Sequence, residues 1–352
     1  MRTYGSMAHH IDVQWMYCAY ELTRKDGAVG IDGVGAKEYE VGLWPKLENL
    51  VEQLKSGRYR APAVKRVFIP KAGSKTEKRP IGIPTYEDKI LQRAVQMVLE
   101  PIYEQEFYDF SYGFRPGKSA HKALERIWKE SMDINGGYII DMDISKYANQ
   151  RFDDTIPQDK LRETVGQRVN DGVIQRMIGK WLNAGVMEQG NLEYPGKGTP
   201  QGGVISPILS NIYLHEVLDK WFVEMVKPCL KGRAFMVRYA DDAIIGCELQ
   251  DDAERIMKVL PLRFAKYGLT IHPEKTKLID FRVPQGNNRK GKGSFTFLGF
   301  KHFWKRSKKG KGSYTTKQTA NGWREQRRQS PNGVGAFGIR RKRSNTQCLR
   351  QN

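Results

Sequence analysis

The chain has 352 residues, of which 39% are hydrophobic and 28% are charged, as is typical of a soluble globular protein. No apolar run approaches the roughly 20 residues that a helix needs to cross a bilayer, and the N-terminus carries no apolar signal segment. The four cysteines are far apart and include no CxxC pair. A disulfide framework and a zinc cluster are therefore not expected, and a reducing compartment is favoured.

The net charge of +20 is concentrated near the C-terminus. From Gln285 onward there are 18 Lys and Arg residues against one acidic residue, Glu325, whereas the first 284 residues contribute only +3. This distribution favours a polyanionic partner such as nucleic acid, although a solvated tail explains the charge about equally well. Aromatic rings between the basic residues favour nucleic acid modestly, because such rings can stack on bases. These rings belong to Phe295, Phe297, Phe300, Phe303, Trp304 and Tyr314.

The first half of the chain is predicted to be helical around one hairpin. Apolar periodicity predicts helices on both sides of a Gly-rich loop within residues 12–60. Residues 60–85 predict two short strands that are joined by a Lys/Gly-rich turn. An amphipathic helix over residues 86–107 follows, with Pro101 near its end, and a further helix follows the loop "FSYGFRPGKS".

The second half mixes strands and helices without a regular βαβ rhythm, which predicts an α+β fold. Helices are expected at residues 156–187, after "PGKGTPQGG", and at residues 252–269. Strands are expected at residues 138–144, 234–248 (with a tight turn), 270–281 and 294–304. Past Tyr314 the apolar periodicity disappears, so the remainder is predicted to be disordered.

Acidic residues in two of the predicted strands suggest a metal site. Asp241 and Asp242 lie in a tight turn between apolar runs, where adjacent carboxylates repel each other and favour a cation. Asp141 and Asp143 are two residues apart in the earlier strand, so they share one face. Carboxylates from separate strands can bind two Mg²⁺ ions for phosphoryl transfer. The alternative for the turn is an ordinary pair of solvated aspartates.

The order of motifs resembles the reverse transcriptases that group II introns encode. The resemblance runs from about residue 25 to residue 315. Its most specific parts are "PQGGVISPILSN" and "RYADD". The other matching segments are "IPKAGSKTEKRPIGIPT", "FSYGFRPGKSAHKAL", "DMDISKY", "GLTIHPEKTKL" and "FTFLGF".

The resemblance implies an RNA-directed DNA polymerase, a nucleotidyltransferase with two Mg²⁺ ions and with Mn²⁺ as a substitute. Asp143, Asp241 and Asp242 would be the catalytic metal ligands, together with the backbone carbonyl of Ile144. Lys275 would be a candidate general acid for the pyrophosphate. Asp141 would be a neighbour in the strand, although spacing alone does not exclude it as a ligand.

Residues for the nucleotide and the primer are implied in the same way. Lys71 and Arg79 would contact the incoming triphosphate, and Gln201 would contact the nucleotide. Phe297, Leu298 and Gly299 would form the primer grip, with the ordinary half-buried strand as an equally good interpretation. The expected partners are an RNA template, a nucleic-acid primer and deoxynucleotides, with intron RNA as a further candidate and no membrane.

The segment "ANQR" interrupts the first catalytic motif and leaves two alignments open. The residue that excludes the 2′-hydroxyl of a ribonucleotide is Ala148 in an ungapped alignment and Phe152 if "ANQR" and one aspartate are inserted. The insertion is favoured, because it brings the downstream "TIPQDKL" back into register with the family. Under either alignment, reduced activity is one of the expectations.

The resemblance also implies a right-hand polymerase fold with fingers, an antiparallel palm sheet and a truncated or disordered thumb, in a bacterial cytoplasm. The alternatives are a reverse transcriptase of a defence or CRISPR-associated system and a catalytically impaired, maturase-like RNA-binding scaffold. The expected parts are 1–136 (fingers with the N-terminal part of the palm), 137–284 (palm), 285–315 (primer-grip strands) and 316–352 (basic, disordered tail).

Overall fold

The structure is a computed structural model, and it describes residues 3–70, 78–144, 156–188, 191–193, 203–285, 290–306 and 312–318. Six stretches are described by their backbone alone, namely Arg79, Asp143, residues 191–193, residues 290–291, Arg306 and residues 312–318.

Four helices form the N-terminal part of the structure. They are α1 (Val13–Leu22), α2 (Ala36–Glu40), α3 (Leu43–Ser56) and α4 (Tyr86–Tyr103), after a short 3₁₀ turn at Ala8–His10. The Asp12 carboxylate caps α1 by accepting a hydrogen bond from the backbone N–H of Trp15, and Thr85 caps α4 in the same way. Gly57, in the left-handed region at φ 77°, ends α3.

The hairpin predicted for residues 60–85 is confirmed. Strands β1 (Val64–Pro70) and β2 (Lys78–Ile83) pair antiparallel. Two short strands, β4 (Val186–Glu188) and β5 (Asn191–Glu193), extend this sheet from the other edge of β1, and the order is β2-β1-β4-β5. The β1–β4 pair is parallel, and it connects the hairpin to a distant part of the chain.

Further helices surround a second sheet. They are α5 (Ala120–Asp133), α6 (Gln158–Gly166), α7 (Gly172–Leu182), α8 (Ser206–Leu214) and α9 (Gln250–Lys266). Helix α8 continues through two π-helical segments, His215–Asp219 and Trp221–Val226. Such wide turns are rare in helices and occur often at functional sites.

The second sheet is antiparallel and has the order β6-β7-β3-β8. Its strands are β6 (Ala234–Tyr239), β7 (Asp242–Cys247), β3 (Tyr138–Asp143) and β8 (Lys277–Asp280). β7 and β3 are therefore the central strands, and β6 and β7 form the strand, tight turn and strand that the sequence predicts.

A third sheet consists of β9 (Lys290–Phe297), β10 (Phe300–Arg306) and β11 (Gly312–Gln318) in the order β11-β10-β9. The single strand expected over residues 294–304 is wrong. Leu298 and Gly299 have φ values of 49° and 81°, and they turn the chain into a hairpin. β11 also continues to Gln318, beyond the predicted last strands.

Buried side chains form two clusters on opposite faces of the second sheet. The larger cluster joins the N-terminal helices, α6 to α9 and residues such as Ile140 and Met142 of β3. The smaller one joins α5, Ile139 of β3 and the aromatic residues of the third sheet. Helices and sheets are mixed in both, so the fold is α+β as predicted. Within the described ranges, no helix has the length and hydrophobicity that a bilayer crossing requires.

Candidate functional site

The two adjacent aspartates lie at the tip of the β6–β7 hairpin. Tyr239 pairs with Asp242, so Ala240 and Asp241 form a two-residue turn. Ala240 has a φ of 55°, a left-handed conformation that costs a residue with a Cβ atom about 1–2 kcal/mol. Asp241 is half-buried and Asp242 is exposed. The turn therefore presents carboxylates at the surface on a strained backbone.

The strand register brings Asp143 next to this turn. Asp143, the last residue of β3, is the direct partner of Asp242 in the antiparallel β3–β7 pair. Asp141 pairs instead with Ile244 of β7 and with Lys277 of β8. A strand rises about 3.4 Å per residue, so the backbone of Asp141 is about 7 Å further from the turn along β3 than that of Asp143. The structure thus distinguishes two aspartates that spacing alone did not separate.

The other residues predicted at this end of the sheet follow the same strands. Ile144 is buried and forms an isolated antiparallel bridge with Ile271. Lys275 is exposed, in the turn between Ile271 and the first residue of β8. Because Ile271 lies beside Ile144 and Lys277 lies beside Asp141, the turn that carries Lys275 borders the Asp143 end of β3.

A buried charged network supports the aspartate turn from behind. Arg238 is fully buried, and its guanidinium donates two hydrogen bonds to the Asp219 carboxylate, at 2.8 and 2.6 Å. The same guanidinium donates to Asn211 Oδ1 at 2.8 Å and to the backbone carbonyl of Ala240 at 3.0 Å. The strained residue of the turn is therefore attached directly to α8 and its π-helical continuation.

The Asp219 carboxylate is ionised in this network. Burial alone would raise its pKa, but the Arg238 guanidinium and the neighbouring His215 outweigh burial and hold the pKa below its ordinary value. A bidentate arginine–carboxylate pair also fixes orientation, since two parallel hydrogen bonds define one geometry. Arg238 and Asp219 thus hold the turn in one position.

A loop beside β6 packs against the turn from the side. The backbones of Phe110 and Tyr112 hydrogen-bond to Arg238 along β6, and Asn211 Nδ2 donates to the carbonyl of Gly113 at 2.8 Å. A Cβ atom on Gly113 would come within 2.3 Å of the Ala240 nitrogen, so only glycine permits this approach. The next residue, Phe114, has a φ of 57° and is 56% exposed.

A second buried network connects α4 to the start of α8. Asp88 accepts hydrogen bonds from the Tyr59 hydroxyl at 2.7 Å, the Trp181 indole at 2.7 Å and the Gln92 amide at 2.8 Å. Gln92 Oε1 in turn accepts from the backbone N–H of Ile205, at 3.3 Å. Burial raises the pKa of Asp88 against the effect of its three donors. This network holds the segment that directly follows "TPQGG".

Four predicted nucleotide-binding residues, Lys71, Ala148, Phe152 and Gln201, lie outside the described residues. The interruption at "ANQR" does too, so the choice between Ala148 and Phe152 stays a prediction. Arg79 lies in β2 opposite Ile69 of β1, next to the hairpin end, and only its backbone is described.

The predicted primer grip consists of a buried ring and an accessible turn. Phe297 is 3% exposed and packs in the smaller core cluster, whereas Leu298 and Gly299 are half-buried in the hairpin turn. Arg115, in the matching segment "FSYGFRPGKSAHKAL", is buried and donates to Glu104 and to the carbonyls of Tyr108 and Ser111. It therefore stabilises the protein itself.

The donor set at the turn suits a hard divalent cation such as Mg²⁺, which prefers carboxylate oxygens. Asp241 and Asp242 supply two carboxylates, and the backbone register adds Asp143. Among the side chains that the structure describes, no group of three or more His, Cys, Asp or Glu residues converges. The third carboxylate belongs to Asp143, which is described by its backbone alone.

Sequence reasoning missed the supporting residues. Arg238 lies in the motif "RYADD", Asn211 ends the motif "PQGGVISPILSN", and Asp219 lies eight residues further on. None of the three was predicted to have a role. A signal was present, since an arginine in an apolar strand and an aspartate in an apolar helix each need a buried partner. Their pairing across 19 residues is visible only in the folded chain.

Comparisons with known proteins agree with these motifs. Residues 69–302 match the family described as reverse transcriptase (RNA-dependent DNA polymerase). Protein YkfC of Escherichia coli strain K12 is 33% identical over 333 residues, which cover 84% of this chain and 82% of YkfC. The group II intron-encoded protein LtrA of Lactococcus lactis is 40% identical over 211 residues, or 59% of this chain and 33% of LtrA.

A plant relative extends the comparison to eukaryotes. The mitochondrial nuclear intron maturase 3 of Arabidopsis thaliana is 27% identical over 266 residues, which cover 67% of this chain and 35% of that protein. The chain thus spans about a third of LtrA and of the plant maturase.

Proposed function

The chain belongs to the group II intron reverse transcriptase and maturase family, and on that premise we propose that it extends a primer 3′-end on an RNA template with deoxynucleotides. The observation that carries this proposal is the register of β3 and β7, which sets Asp143 directly opposite Asp242 beside the Ala240–Asp241 turn. Two strands that are distant in sequence thereby contribute to one acidic site.

In this proposal the palm, the fingers and the primer grip are each built on one of the three sheets. The sheet β6-β7-β3-β8 with α5, α8 and α9 is the palm. The sheet β2-β1-β4-β5 with the N-terminal helices is the fingers, and its β1–β2 hairpin carries Arg79. The third sheet carries the primer grip, at the accessible turn Leu298–Gly299.

The divalent ions would be held by the carboxylates of Asp143, Asp241 and Asp242 and by the backbone carbonyl of Ile144. When bound, two Mg²⁺ ions would activate the 3′-hydroxyl of the primer and neutralise the charge on the triphosphate. Hard oxygen donors at the end of two paired strands support this assignment.

Residues of the protein position the metal-binding carboxylates, transfer the proton and neutralise the triphosphate. Arg238 and Asp219 hold the carbonyl of Ala240, so the carboxylate of Asp241 is positioned before the substrates bind. Lys275 donates a proton to the leaving pyrophosphate, a role supported by its exposed turn beside the Asp143 end of β3. Lys71 and Arg79 neutralise the triphosphate from the fingers.

Primer extension on poly(rA)/oligo(dT) with Mg²⁺ tests the proposal. The wild-type protein is expected to extend the primer, and the double variant Asp241→Ala/Asp242→Ala is expected to lose extension while it still binds RNA. The variant Asp251→Ala/Glu254→Ala removes two acids from α9, away from the turn, and should leave extension unchanged. Extension that survives in the Asp241→Ala/Asp242→Ala variant would contradict the metal site. RNA binding without extension in the wild type would favour the non-catalytic scaffold instead.

A further inference from the structure

A basic cleft lies at the start of β1, at the opposite end of this strand from the hairpin tip. The cleft has a volume of about 760 Å³, and the segments Gly57–Ala61 and Asn183–Gly185 line it together with Ala63 and Lys180. Strand β1 has seven residues, so at about 3.4 Å per residue the cleft is on the order of 20 Å from the hairpin tip. Its lining includes none of the residues of the carboxylate site.

The walls of the cleft are fixed by hydrogen bonds. The Lys180 ammonium donates to the carbonyls of Gly57 and Tyr59, at 2.6 and 2.5 Å. The backbone N–H of Val64 donates to the carbonyl of Gly185 at 2.8 Å, which holds the lining segment Asn183–Gly185 against the start of β1. The buried Tyr59 anchors the middle through Asp88. The cleft is therefore formed before any ligand binds.

Three cations border the cleft without an acidic partner among the described side chains. Arg60 is exposed beside the buried Tyr59, and the Arg176 guanidinium lies over Gly57, where a Cβ atom would come within 3.1 Å of its Cζ. Lys180 is the third, and an ammonium group has three N–H donors, of which the two carbonyls occupy two. Arg58, by contrast, is neutralised by Glu52.

The arrangement of these charges favours an extended polyanion. Burial lowers the pKa of Lys180, and the nearby Arg176 and Arg60 lower it further, because each arginine repels the Lys180 ammonium. An anionic ligand would relieve this repulsion. Four small residues contribute to the lining, so a sugar-phosphate backbone can approach the cations closely; they are Ala61, Ala63, Ala184 and Gly185.

We propose that this cleft binds the phosphate backbone of the single-stranded template RNA at a distance from the polymerase site, through Arg60, Arg176 and Lys180. The assignment to a template rests on the proposed function. Template that has not yet been copied is single-stranded, so its phosphates need protein cations along the path to the site. Arginine suits this task, because its planar guanidinium matches phosphate geometry.

The salt dependence of RNA binding measures these contacts directly. Each phosphate neutralised on a single strand contributes about 0.7 to the slope of log K against log salt concentration. The variant Arg60→Gln/Arg176→Gln removes two charges but keeps polar side chains of similar reach at exposed positions. Fluorescence anisotropy with a labelled single-stranded RNA, between about 50 and 200 mM NaCl, should give a slope that is smaller by about 1.4.

Binding at low salt should weaken by about tenfold for each arginine, in line with hydrogen bonds to charged groups. The matched control, Lys129→Gln/Lys258→Gln, removes two exposed cations from α5 and α9 and should leave slope and affinity unchanged. An unchanged slope in the cleft variant, or an equal decrease in the control, would overturn the proposal. A decrease confined to double-stranded RNA would overturn the assignment to single-stranded template.

The outcome is independent of whether the protein polymerises. If the cleft proposal fails and the polymerase proposal holds, the slope stays constant while extension still depends on Asp241 and Asp242. If the polymerase proposal fails alone, the cleft variant still lowers the slope in a protein that does not extend a primer.

Discussion

Two buried carboxylates, Asp219 and Asp88, belong to the networks that hold the Ala240–Asp241 turn and the segment before α8, and they are stabilised in opposite ways. Asp219 accepts two charge-assisted hydrogen bonds from Arg238. Asp88 accepts from Tyr59, Trp181 and Gln92, all of which are neutral donors. The pKa of Asp219 lies below its ordinary value because Arg238 and His215 outweigh burial, whereas burial raises the pKa of Asp88.

Asp219 and Asp88 have different hydrogen-bond donors because they support different parts of the protein. The Ala240–Asp241 turn is strained, and a guanidinium with five donors can hold its carbonyl while it also binds Asp219 and Asn211. Asp88 instead gathers three elements that are already packed, namely the segment after α3, helix α4 and helix α7. An ion pair therefore supports the acidic turn, and neutral hydrogen bonds support the loop before α8.

The largest effect is expected from breaking the ion pair. Arg238→Met removes the guanidinium that neutralises the buried charge of Asp219, which should lower the free energy of unfolding by about 3–5 kcal/mol. Chemical denaturation measures this. As a control, Arg233→Met breaks an exposed ion pair with Glu248 and should cost less than about 1 kcal/mol. Equal losses in both variants would contradict the special role of Arg238.

A smaller effect is expected at Asp88. Asp88→Ala leaves the buried Tyr59 hydroxyl and Trp181 indole without an acceptor, which should cost about 1–3 kcal/mol in the free energy of unfolding. Asp88→Asn keeps one acceptor oxygen and should recover part of this loss in the same denaturation experiment. A loss at Asp88 that exceeds the loss at Arg238 would reverse the ranking of the two networks.

The two carboxylates should also respond oppositely to pH. The folded pKa of Asp219 is lowered, so its contribution is present above the unfolded value of about 3.9 and is lost as the pH falls through the folded pKa. The folded pKa of Asp88 is raised, so its contribution is complete below about 3.9 and is lost as the pH rises through the folded pKa.

Unfolding of Asp219→Asn, Asp88→Asn and the wild type, followed over a range of pH, tests these signs. The stability difference between wild type and Asp219→Asn should shrink at acidic pH. The difference between wild type and Asp88→Asn should shrink as the pH rises from about 4. Two differences that change in the same direction would show that one of the two pKa shifts is assigned the wrong sign.

The smallest change in stability is expected when the strain in the aspartate turn is relieved by substitution of Ala240. Glycine adopts a positive φ without cost, so Ala240→Gly relieves about 1–2 kcal/mol of strain, and the greater entropy of the unfolded chain offsets about 0.4–1 kcal/mol of it. The melting temperature should stay constant or rise slightly. Ala243→Gly in β7, at an ordinary strand position, should lower it. Equal destabilisation by both substitutions would show that the turn is unstrained.

Much of the fold was predictable because its signals are local. The β1–β2 hairpin, the β6–β7 hairpin and helix α4 with its internal Pro101 follow from periodicity and turn residues within a few positions. The Leu298–Gly299 hairpin was missed, because "FTFLGF" is apolar throughout and leucine rarely occupies a left-handed position.

The site was predictable only in part. The motifs predicted Asp143, Asp241 and Asp242, and the register places Asp143, not Asp141, opposite Asp242. The contacts of Arg238 with Asp219 and of Gln92 with Ile205 join residues 19 and 113 positions apart. No local pattern encodes such pairs, because they depend on how α4, α8 and β6 pack.

The assignment of Asp143 as a metal ligand is tested most directly by comparing Asp143→Asn with Asp141→Asn in single-turnover primer extension with Mg²⁺. Both substitutions remove one carboxylate from the same strand, two residues apart. Asp143→Asn should lower the rate of nucleotide addition by about 10³-fold, as expected when transition-state charge loses its stabilisation, whereas Asp141→Asn should retain extension. Loss of extension in Asp141→Asn together with normal extension in Asp143→Asn would contradict the central claim.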